Sequence, residues 1–193
     1  MMIGKDDLLK IGSSAVESGN YDIAIAAFQS FILRDLKCVE AHHIRESIHK
    51  YYDNYGEAIR DFDRSIELKP ECAEAYYNRG CAYRKDVDDI QQAIRNFTKA
   101  IELRSGYAEA YNNRGDLYGD VGDYQQAIVD FTKAIELKPD YAMAYVNRGL
   151  TYARHDNKSL SVADIEKAVS LWHGSANEAR LPKSIQRRID IVK

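Results

Sequence analysis

Three sets of side chains in this sequence have types and spacings that could do chemistry. His42, Glu46 and His49 fall at i, i+4 and i+7, on one face of a helix, as metal ligands would. No further carboxylate or cysteine completes the set at a fixed spacing. An imidazole can also fill the packing place of an aromatic ring, so a packing role is expected and no metal. The cysteines are Cys38, Cys72 and Cys81, an odd number that makes no disulfide framework. Asn78, Asn113 and Asn147 form the third set, and they recur at nearly constant spacing. An asparagine amide carries both donors and an acceptor, so such a row can hold the backbone of an extended peptide without reading its sequence.

Composition narrows the classes. The chain has 193 residues with 27 basic and 30 acidic side chains, a formal net charge of -3. A weakly acidic balance argues against nucleic-acid binding, which needs a basic surface. No apolar run approaches the ~20 residues of a membrane span, and Met1 to Gly12 lacks a signal-peptide core. No glycine-rich phosphate loop and no nucleophile–base pair stands out. The expectation is a protein that is not an enzyme and uses no cofactor.

What positions these residues is a repeat. Ala108 to Tyr141 is one 34-residue unit with two helical patterns. The first, from Ala108 to Asp120, places Ala110, Tyr111, Gly115 and Tyr118 on one face. Gly122 breaks it, and Asp123 is a natural N-cap for the second. Ala127, Ile128, Phe131, Ala134, Ile135 and Leu137 line the second face, and Pro139 ends it. Such a pair cannot bury both faces alone, and copies of it fill most of the chain.

Tyr111, Gly115, Tyr118, Ala127, Phe131, Ala134 and Pro139 are spaced as in the tetratricopeptide repeat family, which the unit resembles. The resemblance implies an all-α, right-handed superhelical solenoid of helix-turn-helix repeats, with a concave groove that binds peptides or proteins. The repeats are expected at 5–38, 39–72, 73–107, 108–141 and 142–175, with a capping helix over 176–193. Together they would make a single domain over 1–193. In that register Asn78, Asn113 and Asn147 line the groove, with Tyr77, Asn112, Val146, Asp116, Lys85 and Arg154 beside them to read side chains. Cys38 and Cys72 hold the same place in adjacent copies. Stacked helices lie ~8–10 Å apart, too far for a disulfide, so all three thiols are expected reduced and the chain cytoplasmic.

Some chaperone adaptors of this family clamp a C-terminal carboxylate with lysines, asparagines and an arginine. Starting the clamp at Ala73, its places hold Tyr77, Cys81, Met143 and Asn147, and no register supplies the cations. No chaperone tail is expected as partner.

Two departures stand out. The first repeat is unusually apolar, with Ile11, Ala15 and Ile23 to Ala27, and Phe31 stands where alanine is usual. The third carries an extra residue near Arg84 to Asp88. The seventh residue of the later repeats is arginine (Arg45, Arg79, Arg114, Arg148), matched on the second helix by Asp61, Asn96, Asp130 and Asp164. In the first repeat the same places hold Ile11 and Ala27, both apolar. The matched change predicts partly buried fork-shaped Arg–Asp bridges inside each repeat. The expected function is an interaction module that holds a protein or peptide in its groove. The alternative is a scaffold that self-assembles into homo-oligomers, by swapping or stacking through the apolar first repeat or a loosely packed second one.

Overall fold

The computed structural model describes residues 4–32, 55–87, 89–155 and 157–174. Among them are nine α-helices and no strand. The chain divides into two compact units, Met1–Leu103 and Arg104–Lys193. The first holds α1 (Lys5–Glu17), α2 (Tyr21–Ile32), α3 (Tyr55–Leu68), α4 (Ala73–Ala82) and α5 (Ile90–Leu103). The second holds α6 (Ala108–Asp120), α7 (Tyr124–Leu137), α8 (Ala142–Arg154) and α9 (Lys158–Gly174). Pairing follows the repeat: α1 packs on α2, α4 on α5, α6 on α7 and α8 on α9. Successive pairs also meet, through α3 against α4 and α7 against α8. The first helix of the second repeat, with His42, Glu46 and His49, lies outside the described residues, as does the expected capping helix over 176–193.

Local chemistry sets the helix ends. Gly122 turns the chain between α6 and α7 at φ 84°, a left-handed conformation that costs other residues a steric clash. Asp123 then caps α7, its side chain accepting from the Gln126 N–H at 3.2 Å. Asp89 does the same for α5 through Gln92 at 3.0 Å. In the fifth repeat Asn157 takes over the cap, accepting from Leu160 N–H at 3.3 Å. That cap explains why α9 forms although the Gly-Asp-Tyr of the preceding turn is replaced there. The extra residue of the third repeat does not loop out. It is absorbed in a π-helical turn, Tyr83–Val87, that continues α4.

The core repeats with the sequence. Phe28, Phe97 and Phe131 are fully buried, and Ala24, Ala93 and Ala127 lie beside them without exposure. Gly12, Gly80 and Gly115 face these rings, and Gly149 faces Ser161 and Ile165 instead. A Cβ on Gly115 would sit 3.0 Å from the Phe131 ring and 3.1 Å from Asp130 Cβ. Where the fifth repeat replaces alanine by Ser161, the hydroxyl is buried without a hydrogen-bond partner.

The arginine bridges form, and they reach further than the sequence pattern implies. Arg114 donates through Nε and Nη2 to the two oxygens of Asp130 at 2.7 and 2.8 Å. Arg148 grips Asp164 in the same fork, at 2.8 Å for each bond. Arg148 also donates from Nη1 to Thr132 of the preceding repeat at 3.0 Å. In the third repeat Arg79 donates to Asn96 at 2.7 Å, and its carboxylate partner is Asp63 of the preceding repeat. Both Arg79 and Arg148 therefore join one carboxylate and one neutral acceptor. The carboxylate sits within the repeat for Arg148 and one repeat earlier for Arg79. Arg45 and Asp61 lie outside the described side chains.

Burial decides what these bridges contribute. Asp130 is 1 % exposed whereas Asp63 is 47 % exposed. Arg114→Ala strands a buried carboxylate and is expected to cost about 3–5 kcal/mol. Arg79→Ala leaves a neutral amide and a half-solvated carboxylate, and should cost about 1–2 kcal/mol. Urea denaturation followed by circular dichroism checks the order, and equal losses would show that burial of the acid is not what matters. Ser161→Ala removes an unsatisfied buried hydroxyl and should raise stability by about 1 kcal/mol, read as a higher thermal midpoint.

Candidate functional site

The candidate groove residues sit on the first helix of each pair, or for Lys85 in the turn that extends it. In the first unit Tyr77 and Asn78 are half-buried on α4. The Tyr77 ring packs tilted on Phe97, with centroids 5.7 Å apart, so its body is anchored in the core. Lys85 is exposed within the π-helical turn that extends α4. Cys81 lies between them on the chain, half-buried and outside any disulfide.

The second unit brings three of the amides together. Asn147 Nδ2 donates to Asn112 Oδ1 at 3.1 Å, and both residues are buried, at 5 % and 4 % exposure. Asn112 Nδ2 in turn donates to Asn113 Oδ1 at 3.4 Å. The result is a short amide relay from α8 to α6 that ends at the half-buried Asn113. Asn113 and Asn147 occupy equivalent sequence places but differ in exposure, because Asn147 is drawn into the α6–α8 junction by Asn112. The sequence carries one signal for this, the Asn112-Asn113 doublet 35 and 34 residues before Asn147. Its meaning depends on which helix faces meet.

The neighbours separate in the same way. Val146, expected to read side chains, is 1 % exposed and packs with Ile165 and Ala168 in the core of the fifth repeat. Asp116 is half-buried on α6 and Arg154 is exposed at the end of α8. Beyond Arg154, the His155 ring packs tilted against Tyr124, with ring centroids 6.3 Å apart, and its Nε2 lies 2.7 Å from Gln125 Nε2. This contact between the fourth and fifth repeats is not evident from the sequence.

Charge in the cleft between α6 and α7 is already used. This cleft of about 450 Å³ on the second unit is lined by Tyr111, Arg114, Val129, Lys133 and Glu136. Arg114 is held by Asp130, and Lys133 lies 2.9 Å from Glu136. Hydrogen bonding to Glu136 raises the Lys133 pKa. At Arg148 the bond to Asp164 outweighs desolvation and raises the guanidinium further above its ordinary value. No helix among the described residues is long and apolar enough to cross a membrane.

Tandem antiparallel helix pairs, with small-residue contacts inside each pair and a polar face on the first helices, define a helical-repeat interaction module. Tetratricopeptide repeat profiles match residues 108–141, 73–107, and both 9–45 and 53–89. The chain belongs to the tetratricopeptide repeat family, as the spacing of Tyr111, Gly115 and Pro139 implies. It is similar to the crystal structure of MamA at 30% identity, covering 86% of this chain and 96% of that one with a TM-score of 0.72. A MamA fragment from Desulfovibrio magneticus RS-1 is 17% identical, with coverage of 91% and 100% and a TM-score of 0.73. YrrB, described as a TPR protein with an unusual peptide-binding site, is 20% identical, with coverage of 89% and 88% and a TM-score of 0.65. No curated protein sequence matches the chain. The fold is an all-α tetratricopeptide solenoid, a protein-interaction or scaffold class whose members are generally not enzymes.

The relay makes Asn147 structural as well as polar. Asn147→Ala leaves the buried Asn112 carbonyl unpaired and should cost about 1–3 kcal/mol. Asn78→Ala and Asn113→Ala, at half-buried places, should cost less. Thermal denaturation of the three single variants tests this, and an undisturbed Asn147→Ala melt would show that the relay contributes nothing.

Proposed function

We propose that the chain is an adaptor whose first helices hold an extended segment of a partner protein. In the first unit Asn78 would hold the partner backbone, with Tyr77 and Lys85 beside it. In the second unit Asn113 would do so, with Asp116 and Arg154 selecting side chains. Asn112 and Asn147 support this role from beneath, since their relay accounts for the orientation of the Asn113 amide. The observation that carries this function is the half-buried Asn113 amide on α6, bonded by the buried Asn112 beside it, which in turn accepts from Asn147 of the next repeat. Peptide binding by YrrB, a protein of the same fold, is in keeping with it.

A basic chaperone-type clamp does not belong to this proposal, because Tyr77, Cys81 and Met143 stand where its other side chains would be. Cys72 and Cys81, both reduced, favour the reducing cytoplasm as its place of action. Exposed apolar side chains on the first repeat favour a second role, assembly with another copy.

Affinity capture from native lysate tests the adaptor role. The intact chain is compared with the Asn78→Ala/Asn113→Ala variant, which spares the buried relay, after circular dichroism has confirmed its fold. A partner held by the first and reduced about tenfold or more in the second supports backbone holding by these amides, at roughly 1–1.5 kcal/mol each. Equal capture by both would move the binding surface off the first helices.

A further inference from the structure

The first repeat exposes an isoleucine at a place where the later repeats carry arginine. Arg79 and Arg148, seventh in their repeats, both reach back to the preceding repeat, at Asp63 and Thr132. The seventh residue thus marks the face on which a neighbouring helix pair stacks. In the first repeat it is Ile11, 40 % exposed, beside Ile23 at 49 %. Between them runs a shallow groove of about 390 Å³ whose floor is small, formed by Ser14, Ala15 and Ser18. Small residues let another helix approach closely, and the two isoleucines gain by leaving water.

The charges on α1 point to the occupant. Lys10 and Glu17 are both exposed and stand two helical turns apart on the same edge of the apolar stripe. When two copies of such a helix pack antiparallel about a two-fold axis, same-edge residues face each other across the contact. Crossing near Ser13 and Ser14 sets Lys10 of each copy beside Glu17 of the other, twice over. A head-to-tail stack would instead bring Glu166, exposed at the place equivalent to Asp63 and Thr132, against Ile11. That sets a carboxylate on an isoleucine, where the later repeats offer an arginine to receive it. We propose that this face is a homodimer interface, formed by α1 and α2 of one copy against the same helices of a second. It uses none of the first-helix amides and does not depend on peptide binding there.

A helix-pair contact is small for a protein interface, so the dimer should be weak and concentration-dependent. Sedimentation equilibrium of the full chain tests it, with circular dichroism of each variant as a fold check. The unaltered chain should show a monomer–dimer equilibrium, and Ile11→Asp should leave only monomer. Lys10→Glu and Glu17→Lys, both at exposed positions, should each weaken self-association about tenfold, since each alters two symmetry-related pairs. Mixing these two variants should restore dimer, because each of the two pairs in the mixed dimer again joins one acid to one base. The double variant Lys10→Glu/Glu17→Lys should restore it on its own. Recovery on mixing supports the interface even if Ile11→Asp does not fold. A chain that stays monomeric at the highest attainable concentration overturns the proposal. So does a dimer indifferent to Ile11→Asp and to both charge reversals.

Discussion

The arginine at the seventh place of the third, fourth and fifth repeats makes the interaction on which the rest depends. A guanidinium is planar and offers donors on two sides, so one side chain can bind within its own helix pair and to the pair before it. Arg148 does this with Asp164 and Thr132, and Arg79 with Asn96 and Asp63. The tyrosines of the repeat flank the same group. Arg114 lies 5.6 Å from the Tyr111 ring centre and 5.9 Å from that of Tyr118, and Arg148 lies 5.7 and 5.9 Å from Tyr145 and Tyr152. A cation over an aromatic face is attracted to it, more so when water is excluded. The tyrosine stripe is therefore both packing surface and part of the cation's environment.

This arrangement leaves the first helices free for recognition. The second helices supply the buried phenylalanines and the acids, and the glycines of the first helices allow the backbones to close on them. What remains on the first helices is a polar face at half exposure. Amides there are useful because they lose little when dry and paired, and they bind backbone without requiring one particular side chain. The relay from Asn147 through Asn112 shows the other use of the same residue type. Buried between repeats, an amide pair favours one register over its neighbours, because a slip would leave both groups unsatisfied.

Much of the fold was legible because it is local. The period of Ala110, Tyr111, Gly115 and Tyr118 implies the helix Ala108–Asp120 found in the structure, and Gly122 with Asp123 implies the turn and cap. The matched change of Arg and Asp to Ile11 and Ala27 implies the bridge inside each repeat without any coordinate. The π-helical turn at Tyr83–Val87 was legible as an extra residue but not as a conformation. Whether an insertion loops out or winds on is settled by whether the following helix can still meet its partner.

The sequence by itself determined the helix pairs of the described repeats, the Asp123 cap, the family and the Arg114–Asp130 and Arg148–Asp164 pairs, since each rests on contacts made within one repeat. Only the tertiary structure decided that Asp63 and Thr132 receive the outer nitrogens of the arginines. It likewise decided that Asn147 and Val146 are buried while Asn113 stands at the surface. These outcomes depend on which faces of successive pairs meet. One residue along a helix turns a side chain by about 100°, enough to move it from a junction to the surface, and equivalent sequence places diverge once a neighbour such as Asn112 offers a partner.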